Sequence, residues 1–260
     1  MPRVLKEKLI RSEKINKEIY KFTISSEYVA ETAKAGQFVN IRCSDGVSAL
    51  LRRPISICKV NRKEKSYDVI FQVKGNGTDL LSKKQVGDEI DVIAPVGNGF
   101  DLSEKYKNIL VVGGGIGVFP LLGLLEDSKA TKKTTVLGFR NKDFVVLEKE
   151  FQNASDELVI TTDDGTFGKK GFVTEYAQKA LENGHIDMVY ACGPTPMIKA
   201  IKELAAKYNV QCQVSMEQRM GCGIGACLVC ACKTKHGDEW EYSHVCSDGP
   251  VFNAEEVIFE

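Results

Sequence analysis

Four cysteines near the C-terminus, Cys222, Cys227, Cys230 and Cys246, stand in the spacing C-x4-C-x2-C-x15-C. This is the spacing of a plant-type [2Fe–2S] cluster. A loop that wraps such a cluster has to turn tightly while aiming backbone N–H groups at sulfur, and Gly221, Gly223 and Gly225 permit that approach. Such hydrogen bonds also stabilise a negatively charged centre and tune its potential. Zinc is the competing metal, but structural zinc sites usually join two short-spaced ligand couples. Here the second half supplies only Cys246, with His244 at an awkward spacing. Buried inert thiols are the third reading. Cys232 fits no ligand slot and is expected to be a bystander. The nine cysteines are an odd count in a chain whose charged opening residues do not resemble a signal peptide. That combination favours metal in a reducing compartment over a disulfide framework.

The 260 residues predict two domains beside this module, at ~150 residues per domain. Thirty-five basic residues cancel thirty-five acidic ones, which leaves no attractive field for nucleic acid or a membrane surface. A cytoplasmic location is expected. Residues 1–100 read as short alternating strands, at 19–24 and 67–73 for example, punctuated by Asp45-Gly46, Gly75-Asn76-Gly77 and Gly97-Asn98-Gly99. They predict a small antiparallel β-barrel. From Asp101 the texture changes. Apolar strands at 108–112, 134–139, 158–162, 188–191 and 210–216 alternate with helical stretches such as 196–208. That pattern predicts an α/β domain over 101–220, with a parallel sheet covered on both faces. The module at 221–260 follows the last of these strands and is expected to stand outside both cores. Residues 109–125 are uncharged and nearly long enough to span a membrane, which takes ~20 residues. Five glycines and Pro120 within them favour strand, loop and helix instead.

Two segments point to flavin in the first domain. Arg53, Pro54, Ile55 and Ser56 form an R-P-I-S run entering a strand, in which a guanidinium can fork onto pyrophosphate while strand backbone and serine lie along a ring system. An edge-strand arginine is the plain alternative. In Gly75-Asn76-Gly77-Thr78 a glycine turn meets a threonine that is expected to cap a short helix, offering N–H groups to phosphate. In the second domain Gly113, Gly115 and Gly117 follow a strand and open a helix, in the form G-x-G-x-x-P. Such a turn favours a dinucleotide pyrophosphate at the helix N-terminus. Cys192, Gly193 and Pro194 end a later strand of the same sheet, where small residues leave room for a nicotinamide ring.

In this order R-P-I-S, G-x-G-T, GGGIGVFP, CGPTPM and the cysteine loop ending in CSDGPVF resemble the ferredoxin–NADP reductase superfamily. More closely, the whole chain is similar to the electron-transfer subunits of bacterial type B, NAD-dependent dihydroorotate dehydrogenases. The resemblance implies FAD in the barrel, NAD(H) in the α/β domain and a [2Fe–2S] cluster in the C-terminal module. It places FAD on Arg53, Pro54, Ile55 and Ser56, on Ile70, Phe71 and Gln72, and on Gly77 and Thr78, with the cluster on Cys222, Cys227, Cys230 and Cys246. Gln72 stands where the family pattern expects an arginine, and Phe119 where it expects a proline. Arg140 falls close to where a ribose 2′-phosphate would lie, which leaves NAD against NADP open.

A flavin links hydride transfer to one-electron transfer, so no acid–base catalyst is expected in this chain, and His185, His236 and His244 are read as surface or structural. The resemblance further implies an FMN-containing dihydroorotate dehydrogenase catalytic subunit as partner, a heterotetramer of two copies of each, and an interface near the cluster. The rival readings are an input subunit of NADH-dependent ferredoxin:NADP oxidoreductase or of sulfide dehydrogenase, and, from a different class, a zinc-containing nucleotide-binding regulatory module.

Overall fold

Alternating side chains build the first layer. The strands β1 (Arg3–Lys14), β2 (Ile19–Ser25), β3 (Phe38–Ile41), β4 (Arg53–Asn61), β5 (Ser66–Gln72) and β6 (Glu89–Val96) close into a barrel in the order β1-β2-β5-β4-β3-β6. Phe22, Val39, Ile41, Val69, Phe71 and Val92 fill its interior. Closure leaves no unpaired strand edge. Two short helices decorate it, α1 (Glu27–Thr32) and α2 (Asn76–Ser82). The hydroxyl of Ser26 caps the first by accepting from the Val29 N–H at 3.1 Å. The computed structural model describes residues 1–44, 46–237 and 239–259, excluding the side chains of Val47 and His236. The expectations for the Asp45-Gly46 turn and for the His236 side chain therefore lie outside the described residues.

The second domain is a sheet with helices on both faces. Its strands are β7 (Asn108–Gly114), β8 (Lys132–Phe139), β9 (Glu157–Thr162), β10 (Lys169–Lys170), β11 (Met188–Cys192) and β12 (Gln211–Ser215), all parallel. The helices α3 (Phe119–Asp127) and α4 (Glu148–Ala154) bury Leu121, Leu122 and Phe151 on one face. On the other, α5 (Val173–Asn183) and α6 (Thr195–Lys207) bury Val173, Ala177, Ile198 and Ile201. Burial on both faces is why Ile109, Leu110, Val111 and Val112 read as an unbroken apolar run. The order β10-β9-β8-β7-β11-β12 reverses direction between β7 and β11, which opens a crevice at the carboxyl ends of these two strands. Residues 109–125 resolve into β7, a single 3-10 turn and α3. Among the described residues no helix is long and apolar enough to cross a membrane.

The expectation that the C-terminal module stands outside both cores is overturned. After the hairpin β13 (Ala231–His236) and β14 (Glu239–His244), the strand β15 (Val251–Asn253) pairs antiparallel with β12 and becomes the seventh strand of the nucleotide sheet. Cys230, Val245, Cys246 and Phe252 share one core with Ile198 of α6 and with Phe38 and Val96 of the barrel. Ligand spacing in the sequence locates the metal loop. It does not reveal that the short apolar run behind it returns to an open sheet edge, because three residues are too few for a periodic signal.

Candidate functional site

The loop at 221–230 has its N–H groups turned onto sulfur. Ile224 and Ala226 donate to Cys222 Sγ at 3.4 and 3.3 Å, Cys222 donates to Cys227 Sγ at 3.3 Å, and Gly225 donates to Cys246 Sγ at 3.0 Å. Gly225 reaches that position at φ +84°, a left-handed conformation that favours glycine. Cys222 interacts with Cys227, and Cys246 with Cys230 and, more weakly, with Cys222. At Cys222 desolvation pushes the thiol up. The N–H bonds from Ile224 and the contact with Cys227 outweigh it, and the thiol lies below its ordinary value. At Cys246 burial prevails, reinforced by Cys230, and the thiol is raised. Among the described residues no three Cys, His, Asp or Glu side chains converge about one ion. Four thiols on one loop and its return, with backbone N–H groups turned onto their sulfurs, fit a two-iron cluster held by four thiolates. Cys232 is buried beside this loop and its thiol is raised, by desolvation first and by Cys230 second. His185 is exposed, and His244 is tied into the turn after β14, its Nδ1 3.4 Å from Asp248 Oδ2.

The two arginines that begin the R-P-I-S strand have different tasks. Arg52 is committed to Asp91, with N–O contact at 2.7 Å. Arg53 turns toward α2, where a methyl group on Gly77 would stand 2.6 Å from its Nε. The fold thus brings together the guanidinium and the G-x-G-T turn, segments that the sequence leaves separate. Gly75 occupies the N-cap of α2, and Thr78 sits one turn inside, its Oγ1 accepting from the N–H groups of Lys74 at 3.0 Å and Gly75 at 3.3 Å. The threonine therefore braces the turn from within the helix and is not its N-cap. Along β4, Pro54 and Ser56 face outward, while Ile55 points into the barrel. Along β5, Phe71 points inward, Ile70 packs against the α/β domain, and Gln72 donates to Glu18 at 2.7 Å.

A cavity of about 480 Å³ lies between the barrel and the sheet. Gln72 and Lys74 form its barrel wall, and Gly115, Gly117, Gly193 and Pro194 its sheet wall. The two glycine loops touch backbone to backbone, since a methyl group on Gly117 would lie 2.6 Å from Gly193 Cα. Gly113 is instead a packing residue against Leu121, Val118 and Leu137. Cys192 is buried just behind the crevice. Desolvation, helped by the charge of Glu217, pushes its thiol up to about 12. A second cavity of about 470 Å³ continues past Gly114 and Arg140 to Thr161 and Asp163. Sequence reasoning missed Lys74 and Glu217. Lys74 follows Gln72 by two residues, the strand period that returns to one face, and Glu217 follows the carboxyl end of β12. Glu217 borders the first cavity, where its partial enclosure raises the carboxyl and Lys74 opposes the rise.

Residues 217–258 match the iron–sulfur cluster binding domain of dihydroorotate dehydrogenase B, and residues 111–203 match the oxidoreductase NAD-binding domain. Over 255 residues the chain is 41% identical to the electron transfer subunit of dihydroorotate dehydrogenase B (NAD(+)) of Caldanaerobacter subterraneus subsp. tengcongensis, covering 98% of each chain. It is 46% identical over 244 residues to the subunit of the same name from Bacillus velezensis, covering 92% of this chain and 93% of the relative. Among solved structures, one describing the NADH-dependent reduced ferredoxin-NADP oxidoreductase and flavin-based electron bifurcation superposes with a TM-score of 0.84 at 34% identity, over 97% of this chain and 89% of that one.

Proposed function

We propose, for a chain that belongs to the family of electron-transfer subunits of NAD-dependent dihydroorotate dehydrogenase B, that it carries electrons between NAD(H) and an FMN-containing catalytic partner in pyrimidine synthesis. The carriers are FAD in residues 1–100, NAD(H) in 101–220 and a [2Fe–2S] cluster in 221–260. A cytoplasmic location and a heterotetramer of two copies of each subunit belong to the same reading. Bound FAD supplies the exchange between hydride and single electrons. The residues do the placing. Arg53 and the α2 turn would take the FAD pyrophosphate, Pro54 and Ser56 would flank the ring, and the Thr78 hydroxyl keeps the turn closed. Ile55, Ile70, Phe71 and Gln72 shape the strands behind the ring, and Lys74 supplies the charge that Gln72 lacks. Gly115, Gly117, Gly193 and Pro194 admit NAD(H) at the carboxyl ends of β7 and β11. Gly113 and Cys192 support those loops from behind. Cys222, Cys227, Cys230 and Cys246 hold the cluster.

One observation carries this reading: the crevice and the cysteine loop both abut the barrel that holds the R-P-I-S strand, the crevice through Gln72 and Lys74 and the loop through Asn40. Carriers held by these residues would form a chain with the flavin in the middle. NAD is favoured over NADP because Asp163 shares the second cavity with Arg140 and opposes a 2′-phosphate. The test is to mix the purified chain anaerobically with an FMN-type dihydroorotate dehydrogenase and follow NAD-linked orotate formation. A rate well above that of either component is expected. No enhancement, with the flavin still bleached by NADH, would favour the second reading: an input subunit for a different partner, as the likeness to the ferredoxin-NADP oxidoreductase allows.

A further inference from the structure

Asn40 lies where the flavin strand meets the cluster loop. On β3 it is paired directly with Pro54 of β4, so its side chain leaves the barrel on the same face as Pro54, while its neighbours Val39 and Ile41 point inward. It is 1% exposed. Its Nδ2 donates to the carbonyl of Cys222 at 3.1 Å. The contact is close enough that a methyl group on Gly223, held at φ +70°, would lie 2.3 Å from that nitrogen. Only the amide NH2 can face a carbonyl oxygen, which fixes the side chain's orientation. The other end, Oδ1, is then buried with no partner among the described residues. A buried acceptor left unpaired is costly, which calls for a donor brought by a bound group. An iron–sulfur cluster has no N–H or O–H to give. A flavin has a ring N–H and ribityl hydroxyls.

We propose that Asn40 is a positioning residue shared by two redox groups: its Nδ2 fixes the cluster loop through the Cys222 carbonyl, and its Oδ1 accepts a hydrogen bond from the flavin on the Pro54–Ser56 strand. The proposal rests on the reading of that strand as the flavin site. It gives a single side chain control over how flavin and cluster are set relative to each other. Asn98, two residues past β6, holds the opposite arm of the module by donating to the Asp248 carbonyl at 2.8 Å, and is exposed.

The test compares the full chain with Asn40→Leu, which keeps volume and removes both polar ends, and with Asn98→Ala. Each is purified anaerobically with its cofactors and mixed with excess NADH. The flavin absorption spectrum, the rate of flavin bleaching and the appearance of the reduced-cluster EPR signal are recorded. For Asn40→Leu the expected result is a shifted flavin absorption band together with cluster reduction slowed at least about tenfold more than flavin bleaching. Asn98→Ala is expected to leave the flavin band in place. Should Asn40→Leu lose its cluster on purification, Asn40→Ser, which restores a hydroxyl that can donate and accept, is expected to recover the cluster and part of the rate. A variant in which only one of the two signatures moves, or neither, overturns the shared role. An unaltered chain that holds flavin but is not bleached by NADH overturns the functional reading itself, and the proposal with it.

Discussion

At Gly77 the missing side chain matters to a neighbour more than to the backbone. An added methyl would meet the far end of Arg53, 2.6 Å from Nε, and a flexible side chain can give way at little cost to the fold. Gly77→Ala is therefore expected to keep the melting temperature within about 2 °C while weakening FAD retention by about tenfold, as Arg53 is pushed off its place; FAD per chain after gel filtration measures it. Cys192 illustrates a different kind of silence. Its thiol, raised to about 12 chiefly by burial, leaves roughly one part in ten thousand as thiolate at pH 8. The sign follows: the neutral form is the native one, and alkylation sets in only as pH rises toward that value or the chain unfolds. Iodoacetamide at pH 8 followed by mass spectrometry should leave Cys192 unmodified in the native protein. The sequence places Cys192 correctly at a strand end, yet cannot tell that its side chain faces backward into the core. The same limit hides Asn40, a lone polar residue in a strand, whose meaning depends on a loop some 180 residues away.

Elements were legible in proportion to their periodicity. The apolar β7, the helix after Pro194 and the alternating β2 and β5 stand at the expected places within a residue or two. The three-residue β15 carries too little pattern to be read, though it completes the sheet. Its importance is testable. Phe252 is 7% exposed and packs in the core that joins module, sheet and barrel, so Phe252→Ala should cost about 3–5 kcal/mol. Urea unfolding followed by far-UV circular dichroism should show the loss in the main transition. An early, separate melting of the C-terminal segment alone would contradict the shared core. Hairpin β13–β14, by contrast, leaves Trp240 and Tyr242 exposed, and its outer face has little to contribute to that transition.

Across the whole molecule the two domains are locked by α3 lying on β4. Gly123 approaches the Cys58 carbonyl so closely that a methyl would stand 2.6 Å from the oxygen. The Lys59–Glu126 pair at 2.6 Å and the Arg62–Asp127 pair at 3.5 Å flank the contact. Exposed pairs of this kind contribute only about 0–1 kcal/mol each, so the close backbone approach sets the spacing. Gly123→Ala should wedge the domains apart and slow flavin bleaching by NADH about tenfold or more, with FAD content unchanged; stopped-flow absorbance checks it. The completion of the sheet by β15 has a further consequence for how the protein is made. Synthesis runs from the N-terminus, so all six barrel strands are made before the first strand of the sheet. The β12 edge gains its partner only once Val251–Asn253 has been made, and all four ligand cysteines precede that strand in the chain. Completion of the sheet is therefore late in the order of synthesis, coming after every ligand thiol has been added to the chain.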